Sequence, residues 1–228
     1  MSDNDRPEPG PRRVALVRVS TTEAIVSQLR AEILDGSLAA GTHLPEVELA
    51  ERFGVSRQSI RAALAELSFR GLAQREPNRG VRIPTLARPD VEDIYSLREI
   101  IEGAAVRRVA QERAVLDRVD DEVLMLERLS SRSHWSEIAE ADVRIHQAIV
   151  AAAGSPRLLR ASDMLAGEML LIVVPARRYM SPWAMAQEHR ELLEVIRAGD
   201  PDAAVARLKM HLELGTEDLL ANLPRVDA

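Results

Sequence analysis

Apolar residues recur every three to four positions over most of the chain, which predicts a mostly helical protein. Within residues 20–69 this pattern falls into three segments. The first begins after Ser20 and ends near Gly36. Ser20 and Glu23 have the spacing of a capping box. The third has an apolar stripe at i, i+3, i+4 and i+7, formed by Ile60, Ala63, Leu64 and Leu67. This stripe is expected to face a core, which leaves the opposite side of the segment free for function.

The junction between the second and third segments has the features of a helix-turn-helix. Gly54 can adopt the positive φ that a tight turn needs, and Ser56 is a suitable N-cap for the helix that follows. The first turn of that helix then carries four polar side chains, Arg57, Gln58, Ser59 and Arg61. Such a turn reaches bases and phosphates in the DNA major groove. We predict that these four residues bind DNA; the alternative is a solvated helix end with no such role.

Two short runs, residues 71–75 and 81–84, flank a Pro-Asn-Arg-Gly turn, and this order predicts a β-hairpin. Arg79 lies at the tip of the hairpin beside Gly80, where a cation can enter a DNA minor groove. Residues 20–84 are therefore predicted to form a winged helix-turn-helix, with Arg79 and Gly80 as further DNA contacts.

Helical patterns fill residues 90–221, with no convincing strand and no internal repeat. The predicted helices cover residues 90–113, 117–131, 136–153, 156 to about 179 with a break near Pro175, 181–199 and 200–220. A segment of roughly 130 residues can bury a core of its own, so we expect an all-α six-helix bundle as a second domain. Residues 85–89 are predicted to be a linker, and residues 1–19 and 222–228 are predicted to be tails.

Charge differs between the two predicted domains, although the whole chain is acidic with a formal net charge of −6. Residues 1–88 hold 13 Arg and 11 acidic residues, a balance of +2, and the remainder is acidic. Only the first part needs to meet phosphate. Cysteine is absent, which excludes disulfides and thiolate metal sites and suits a cytoplasmic protein. No apolar run approaches the ~20 residues of a membrane span.

Four side chains of the second domain are candidate metal ligands. Asp142 and His146 are four residues apart and project from one helix face, while His189 and His211 lie on two further helices. One carboxylate with three imidazoles suits Zn²⁺, Ni²⁺ or Mn²⁺. A histidine within a helix is more often a surface residue or a hydrogen-bonded core residue, so these residues alone leave both interpretations open.

The first domain resembles the GntR family of bacterial regulators. The resemblance rests on Gly36-x-Leu38, Gly41, Leu44-x-Glu46, Leu49-Ala50, Phe53-Gly54-Val55-Ser56-Arg57, Ile60-Arg61-x-Ala63-Leu64 and Gly71-Leu72. It implies that Arg57, Arg61 and the wing around Arg79 touch DNA. Ala40, Val47 and the pair Gln58-Ser59 depart from the usual family residues, so the operator sequence does not follow from the resemblance.

The second domain resembles the FCD effector domain of the FadR subfamily. The resemblance rests on Arg98-x-x-x-Glu102-x-x-Ala105, Asp142-x-x-x-His146, Glu188-His189, Ile196-x-x-Gly199-Asp200, Ala204 and His211. It implies that Asp142, His146, His189 and His211 bind a divalent metal ion. A six-helix count implies the VanR-like branch. Arg98 is implied to hold a ligand carboxylate, although an arginine on the surface paired with Glu102 is the competing interpretation.

Three functions follow from these residues. The favoured hypothesis is a transcriptional regulator, a repressor, that binds a pseudo-palindromic operator as a homodimer and senses a small carboxylate at the metal. The second is a metal-dependent hydrolase, since an open metal site can activate water; against it, no general base is evident. The third is a DNA-binding protein whose helical domain only dimerises around a structural metal.

Overall fold

The computed structural model describes residues 20–130, 132–174 and 181–222. In these residues the order of elements is α1 Thr21–Leu34, α2 Glu46–Phe53, α3 Arg57–Phe69, β1 Gln74–Glu76, β2 Gly80–Arg82, α4 Arg88–Glu112, α5 Asp117–Arg128, α6 Trp135–Ala152, α7 Pro156–Val173, α8 Pro182–Ala198 and α9 Pro201–Asn222. The predicted class, a mostly α protein with one small hairpin, is confirmed. Most of both predicted tails and the break near Pro175 lie outside the described residues.

Helices α1, α2 and α3 pack around one apolar core, as their stripes predict. The Ser20 hydroxyl accepts the Glu23 amide at 3.1 Å, and the Glu23 carboxylate accepts the Ser20 amide at 2.8 Å, which completes the capping box. Gly54 has a φ of 63° and ends α2, so the chain turns sharply into α3. The apolar stripe of α3 is fully buried, with Ile60, Ala63, Leu64 and Leu67 at its centre.

The wing is a two-stranded antiparallel sheet in which Arg75 pairs with Val81. Asn78 in the turn and Gly80 at the start of β2 have positive φ values of 61° and 87°. Residues 41–44 add backbone hydrogen bonds to the outer side of β2, including one of 2.8 Å from the Leu44 amide to the Val81 carbonyl. The sequence pattern did not indicate this third short segment, because its residues show no alternation of their own.

The remaining six helices form one bundle around α4, which packs against α9, α6 and α7. Six helices are also what the sequence predicts, and the assignment to the VanR-like branch stays a prediction. Helix α4 begins at Arg88, two residues before the predicted start. Asp90 therefore acts inside the first turn, where its carboxylate accepts the Ala87 amide at 2.8 Å. No helix in the described part of the chain is long and apolar enough to cross a membrane.

The C-terminal end of α3 docks directly on α7 of the bundle. The Gly167 amide donates to the Arg70 carbonyl at 2.8 Å. A Cβ atom on Gly167 would stand 2.1 Å from that carbonyl oxygen, and one on Gly71 would stand 2.8 Å from the Met164 carbonyl oxygen. Because real Cβ atoms do not come so close to backbone, glycine at both positions permits this contact. Helix α3 is thus held against α7 at this contact.

Candidate nucleic-acid interface and candidate metal centre

The exposed start of α3 carries the residues predicted to bind DNA. The Ser56 hydroxyl accepts the Ser59 amide at 3.1 Å and fixes the first turn of the helix. Ser59 is half-buried and its hydroxyl lies 3.0 Å from that of Ser56, so part of its hydrogen-bonding capacity is used within the turn. Arg57 and Gln58 are exposed. Arg79 and Gly80 are exposed at the tip of the wing.

Arg61 is exposed too, but it has a partner that sequence reasoning missed. Its Nε donates to Glu46 Oε2 at 2.6 Å, from α3 to the first turn of α2. The Arg61 side chain remains 58% exposed, so the ion pair is a weak surface one. Binding a phosphate or a base would require Arg61 to exchange this carboxylate for DNA.

Three histidines from three helices meet inside the bundle. His146 on α6 lies with its Nε2 atom 3.2 Å from Nε2 of His189 on α8 and 3.3 Å from Nε2 of His211 on α9. One ring nitrogen from each residue falls within 4.8 Å of the others. His146 and His189 are buried, and His211 is nearly so. The sequence predicted all three.

In His146 and His189, a hydrogen bond at Nδ1 determines that Nε2 is the nitrogen that faces the cluster. His146 Nδ1 lies 2.7 Å from Glu102 Oε2, and His189 Nδ1 lies 2.7 Å from the Met185 carbonyl oxygen. Carboxylate and carbonyl oxygens accept hydrogen bonds, so each Nδ1 carries its proton and donates. In a neutral ring the Nε2 lone pair is then free and points toward the centre of the cluster.

The electrostatics of the cluster favour neutral rings at His189 and His211. Burial lowers the pKa of His189 to about 4. Burial, with the neighbouring His189 and His146, lowers the pKa of His211 well below its usual range. Neutral imidazoles whose lone pairs converge repel one another unless a cation lies between them. Zn–N bonds of about 2.0–2.1 Å place two nitrogens on one ion roughly 3.0–3.5 Å apart, which agrees with the observed separations. The donor set therefore fits a divalent metal ion.

Asp142, the fourth predicted ligand, stands beside the three histidines. It lies one turn before His146 on α6, and its Oδ1 atom is 3.4 Å from His189 Nε2. Its side chain is 13% exposed. Its carboxylate is not one of the mutually close ligand atoms, which are imidazole nitrogens only. Its role as a ligand stays a prediction.

Arg98 is buried, which excludes the interpretation of this residue as a surface arginine. It is 5% exposed, and its Nε donates to Glu102 Oε1 at 2.8 Å. Burial alone would raise the pKa of Glu102, but the Arg98 guanidinium and His146 lower it to about 2. Arg98 and Glu102 are therefore paired, but inside the protein and next to the histidine cluster.

A cavity of about 260 Å³ connects these groups. Its polar wall consists of Arg98, Asp142 and the three histidines, together with Tyr95, Ser181 and Glu188. Its apolar wall includes Val173, Leu212 and Leu219. The sequence offered Tyr95 as a possible pocket residue, with packing as the alternative, and the structure places it in the cavity wall. Glu102 was expected only as a partner of Arg98, and its contact with His146 was missed.

A winged helix-turn-helix docked on a helical bundle, with a cavity in the bundle, is the architecture of a ligand-responsive DNA-binding regulator. The family comparisons agree with this. Residues 21–83 match the model of the bacterial regulatory proteins of the gntR family, and residues 93–214 match that of the FCD domain. The chain therefore belongs to the GntR-family regulators that carry an FCD domain, the FadR subfamily. It is a metabolite-responsive, DNA-binding transcriptional regulator.

Named relatives support the same family. The chain is 28% identical over 197 residues to a protein named the probable D-xylose utilization operon transcriptional repressor of Paenarthrobacter nicotinovorans, covering 84% of this chain and 87% of the relative. It is 28% identical to the HTH-type transcriptional repressor RspR of Escherichia coli K12, with 81% and 82% covered. A crystal structure of a GntR transcriptional regulator from Rhodococcus sp. RHA1 superposes with a TM-score of 0.75 at 25% identity, with 90% and 100% covered. These relatives are regulators, not enzymes.

Proposed function

We propose that this regulator senses a small organic acid at a divalent metal ion in the bundle and thereby controls operator binding by a homodimer. The observation that carries the proposal is the convergence of three imidazole nitrogens in a cavity that also contains a buried arginine. Cations on two sides of a confined space select an anion. The regulator is proposed to be a repressor, as both named relatives are.

His146, His189 and His211 are the proposed metal ligands, with Asp142 as the fourth. A set of imidazoles and one carboxylate suits Zn²⁺, Ni²⁺ or Mn²⁺. A metal ion bound there supplies a Lewis acid that attracts a carboxylate oxygen. With four protein ligands, a five- or six-coordinate ion retains positions for an external ligand.

Arg98 is the proposed second anchor for the acid. Its Nε atom is used by Glu102, and its Nη1 atom contacts only the weak acceptor Met169 Sδ at 3.6 Å. Within the described residues Glu102 is the sole carboxylate paired with Arg98, and Arg98 is also part of the cavity wall. A guanidinium holds a carboxylate by a forked pair of hydrogen bonds. The cavity volume of about 260 Å³ is sufficient for a small acid.

The homodimer is supported by an apolar surface on the bundle. Leu97 and Ile100 are exposed on α4, and Met210 and Leu214 are exposed on the adjacent α9. Grouped apolar side chains of this kind mark protein–protein interfaces more often than free surface. A two-fold dimer would present two recognition helices to a pseudo-palindromic operator.

A thermal-shift experiment tests the sensing proposal. Protein freed of metal by a chelator is compared with Zn²⁺-loaded protein across a panel of monocarboxylic, hydroxy and dicarboxylic acids. A binding acid should raise the Tm of the loaded protein, because a ligand of the native state stabilises it, and should leave the metal-free protein unchanged. Arg98→Lys keeps the charge but loses the fork, so it should lose the response. Arg107→Lys, an exposed residue of the same helix, is its control.

Two other outcomes decide between the competing functions. If Zn²⁺ raises the Tm but no acid adds to it, the metal is structural and the helical domain only dimerises. If the loaded protein hydrolyses ester or phosphoester substrates and His189→Ala abolishes that turnover, the hydrolase hypothesis replaces the sensor.

A further inference from the structure

We propose that Glu102 is a positioning residue, which sets both the tautomer of His146 and the orientation of Arg98. Its role toward the metal rests on the proposed function, whereas its role toward the His146 ring does not. One buried carboxylate would thus connect the metal ligand to the anchor for the organic acid.

The geometry shows one oxygen of Glu102 committed to each partner. Oε1 accepts the Arg98 Nε hydrogen at 2.8 Å, and Oε2 accepts the His146 Nδ1 hydrogen at 2.7 Å. Glu102 is only 4% exposed, so water has little access to compete for either oxygen. Arg98 and Glu102 are four residues apart on α4, while His146 comes from α6, so the contact also fixes α6 against α4.

A comparison of the Nδ1 partners of the three histidines distinguishes the positioning role of Glu102 from simple charge pairing with Arg98. His189 Nδ1 donates to a backbone carbonyl, which no side-chain substitution removes. His146 Nδ1 depends on the Glu102 side chain. His211 Nδ1 lies 3.9 Å from Glu188 Oε2, beyond hydrogen-bond distance. A purely structural Glu102 would neutralise Arg98 without deciding which nitrogen of His146 faces the cavity.

Partners of this kind govern metal affinity in other proteins. A carboxylate that accepts the outer hydrogen of a ligating imidazole orients the ring and raises its basicity, and its removal lowers metal affinity about 10- to 100-fold. Glu102→Gln keeps the shape of the side chain but replaces one acceptor oxygen by a donor NH₂ group. In the wild-type geometry, with one oxygen facing each partner, glutamine can present its single acceptor oxygen to Arg98 or to His146 but not to both.

The experiment uses the full-length chain, with Glu99→Gln as the matched control. Glu99 lies on the same helix and pairs with Lys209 at the surface. Histidine ¹⁵N NMR of metal-free protein at about pH 8, above the ordinary histidine pKa of about 6.5, reports the tautomer of each ring. We expect His146 to carry its proton on Nδ1 in wild type and in Glu99→Gln, and to populate the other tautomer in Glu102→Gln. His189 should not change.

Zn²⁺ titration then tests the consequence for the metal. Its Kd should rise about 10- to 100-fold in Glu102→Gln and stay within about twofold in Glu99→Gln. An unchanged His146 tautomer together with an unchanged Zn²⁺ Kd would overturn the proposal. If wild type binds no Zn²⁺, the proposed function fails, but the NMR result still decides the role of Glu102.

A second variant covers the case in which Glu102→Gln does not fold. Glu102→Asp keeps the negative charge beside Arg98 but shortens the side chain by one CH₂ group, so it should lose contact with His146. We expect the same change of tautomer and weaker Zn²⁺ binding. Wild-type behaviour of Glu102→Asp in both measurements would show that charge alone is needed and would contradict the positioning role.

Discussion

The two domains place their functional charges in opposite environments. On the winged domain, Arg57, Arg61 and Arg79 are exposed to solvent. Arg61 forms a surface ion pair with Glu46. In the bundle, by contrast, Arg98 and Glu102 are buried next to the histidine cluster. Exposed charges act nearly independently, whereas each buried charge depends on its partners because water cannot replace them.

Because of this difference, we expect the removal of one arginine to have different consequences in the two domains. If the exposed arginines of α3 bind DNA as predicted, removing one of them should delete one contact and leave the domain folded. Removing Arg98 leaves the Glu102 carboxylate buried beside His146 without its cation. Effects on the sensor site should therefore be non-additive, and effects on the DNA surface should be closer to additive.

The largest expected effect concerns DNA binding. In the double variant Arg57→Ala, Arg61→Ala we expect a loss of about 2–6 kcal/mol of operator affinity, since each bidentate base contact contributes roughly 1–3 kcal/mol. Fluorescence anisotropy on an operator obtained by selection from random DNA measures it. The control is Arg107→Ala, Arg108→Ala, which removes the same charge from α4. Equal operator affinity in the two double variants would refute the assignment of α3.

A substitution at the contact between α3 and α7 should have an effect almost as large. Gly167→Ala places a Cβ atom 2.1 Å from the Arg70 carbonyl oxygen, and because backbone cannot yield cheaply we expect a loss of about 3 kcal/mol in unfolding free energy. Gly103→Ala is the matched control, since that helical glycine has open space around it and should gain about 0.5–1 kcal/mol. Urea denaturation measures both. A neutral Gly167→Ala would mean that α3 does not dock on α7 in solution.

Metal binding should stabilise the native state by a comparable free energy. At a Zn²⁺ concentration about 100 times the Kd, the native state gains about 2.7 kcal/mol, and we expect His189→Ala to abolish this gain. His134→Ala, which removes an exposed histidine at the start of α6, should keep it. Elemental analysis and Zn²⁺-dependent Tm provide the measurement. Full metal occupancy in His189→Ala would remove this residue from the site.

The most gradual effect concerns the acid stability of the metal-free protein. Burial lowers the pKa of His189 to about 4, so between about pH 6.5 and pH 4 the unfolded chain binds a proton that the native state does not. Stability should therefore fall with falling pH in this window, by at most about 1.4 kcal/mol per pH unit for this group. Denaturation at several pH values tests it, and a flatter curve is expected for His189→Ala.

The parts of the molecule that were predictable depend on local sequence. The turn at Gly54, the cap at Ser56 and the stripe through Leu64 follow from neighbours on one helix or turn, and the structure confirms them. The pairing of Arg98 with Glu102 also follows from spacing, but its burial does not.

Contacts between distant segments could not be predicted from the sequence. Glu102 meets His146 across 44 positions, and Arg61 meets Glu46 across 15, so no periodicity signals either pair. The close approach of Gly167 to Arg70 depends on how two domains dock. A glycine inside a helix pattern indicates only that something comes near, not which residue it is.

The central claim is that the buried site and the exposed surface are coupled, and one measurement tests it most directly. Operator affinity of Zn²⁺-loaded protein is measured with and without the acid that gives the largest thermal shift, and acid affinity is measured with and without operator. Linkage requires the two ratios to be equal, and a typical coupling of about 1–3 kcal/mol predicts a change of roughly 5- to 150-fold in each. We expect metal-free protein and Arg98→Lys to show no change. Operator affinity that is the same with and without the bound acid would contradict the account.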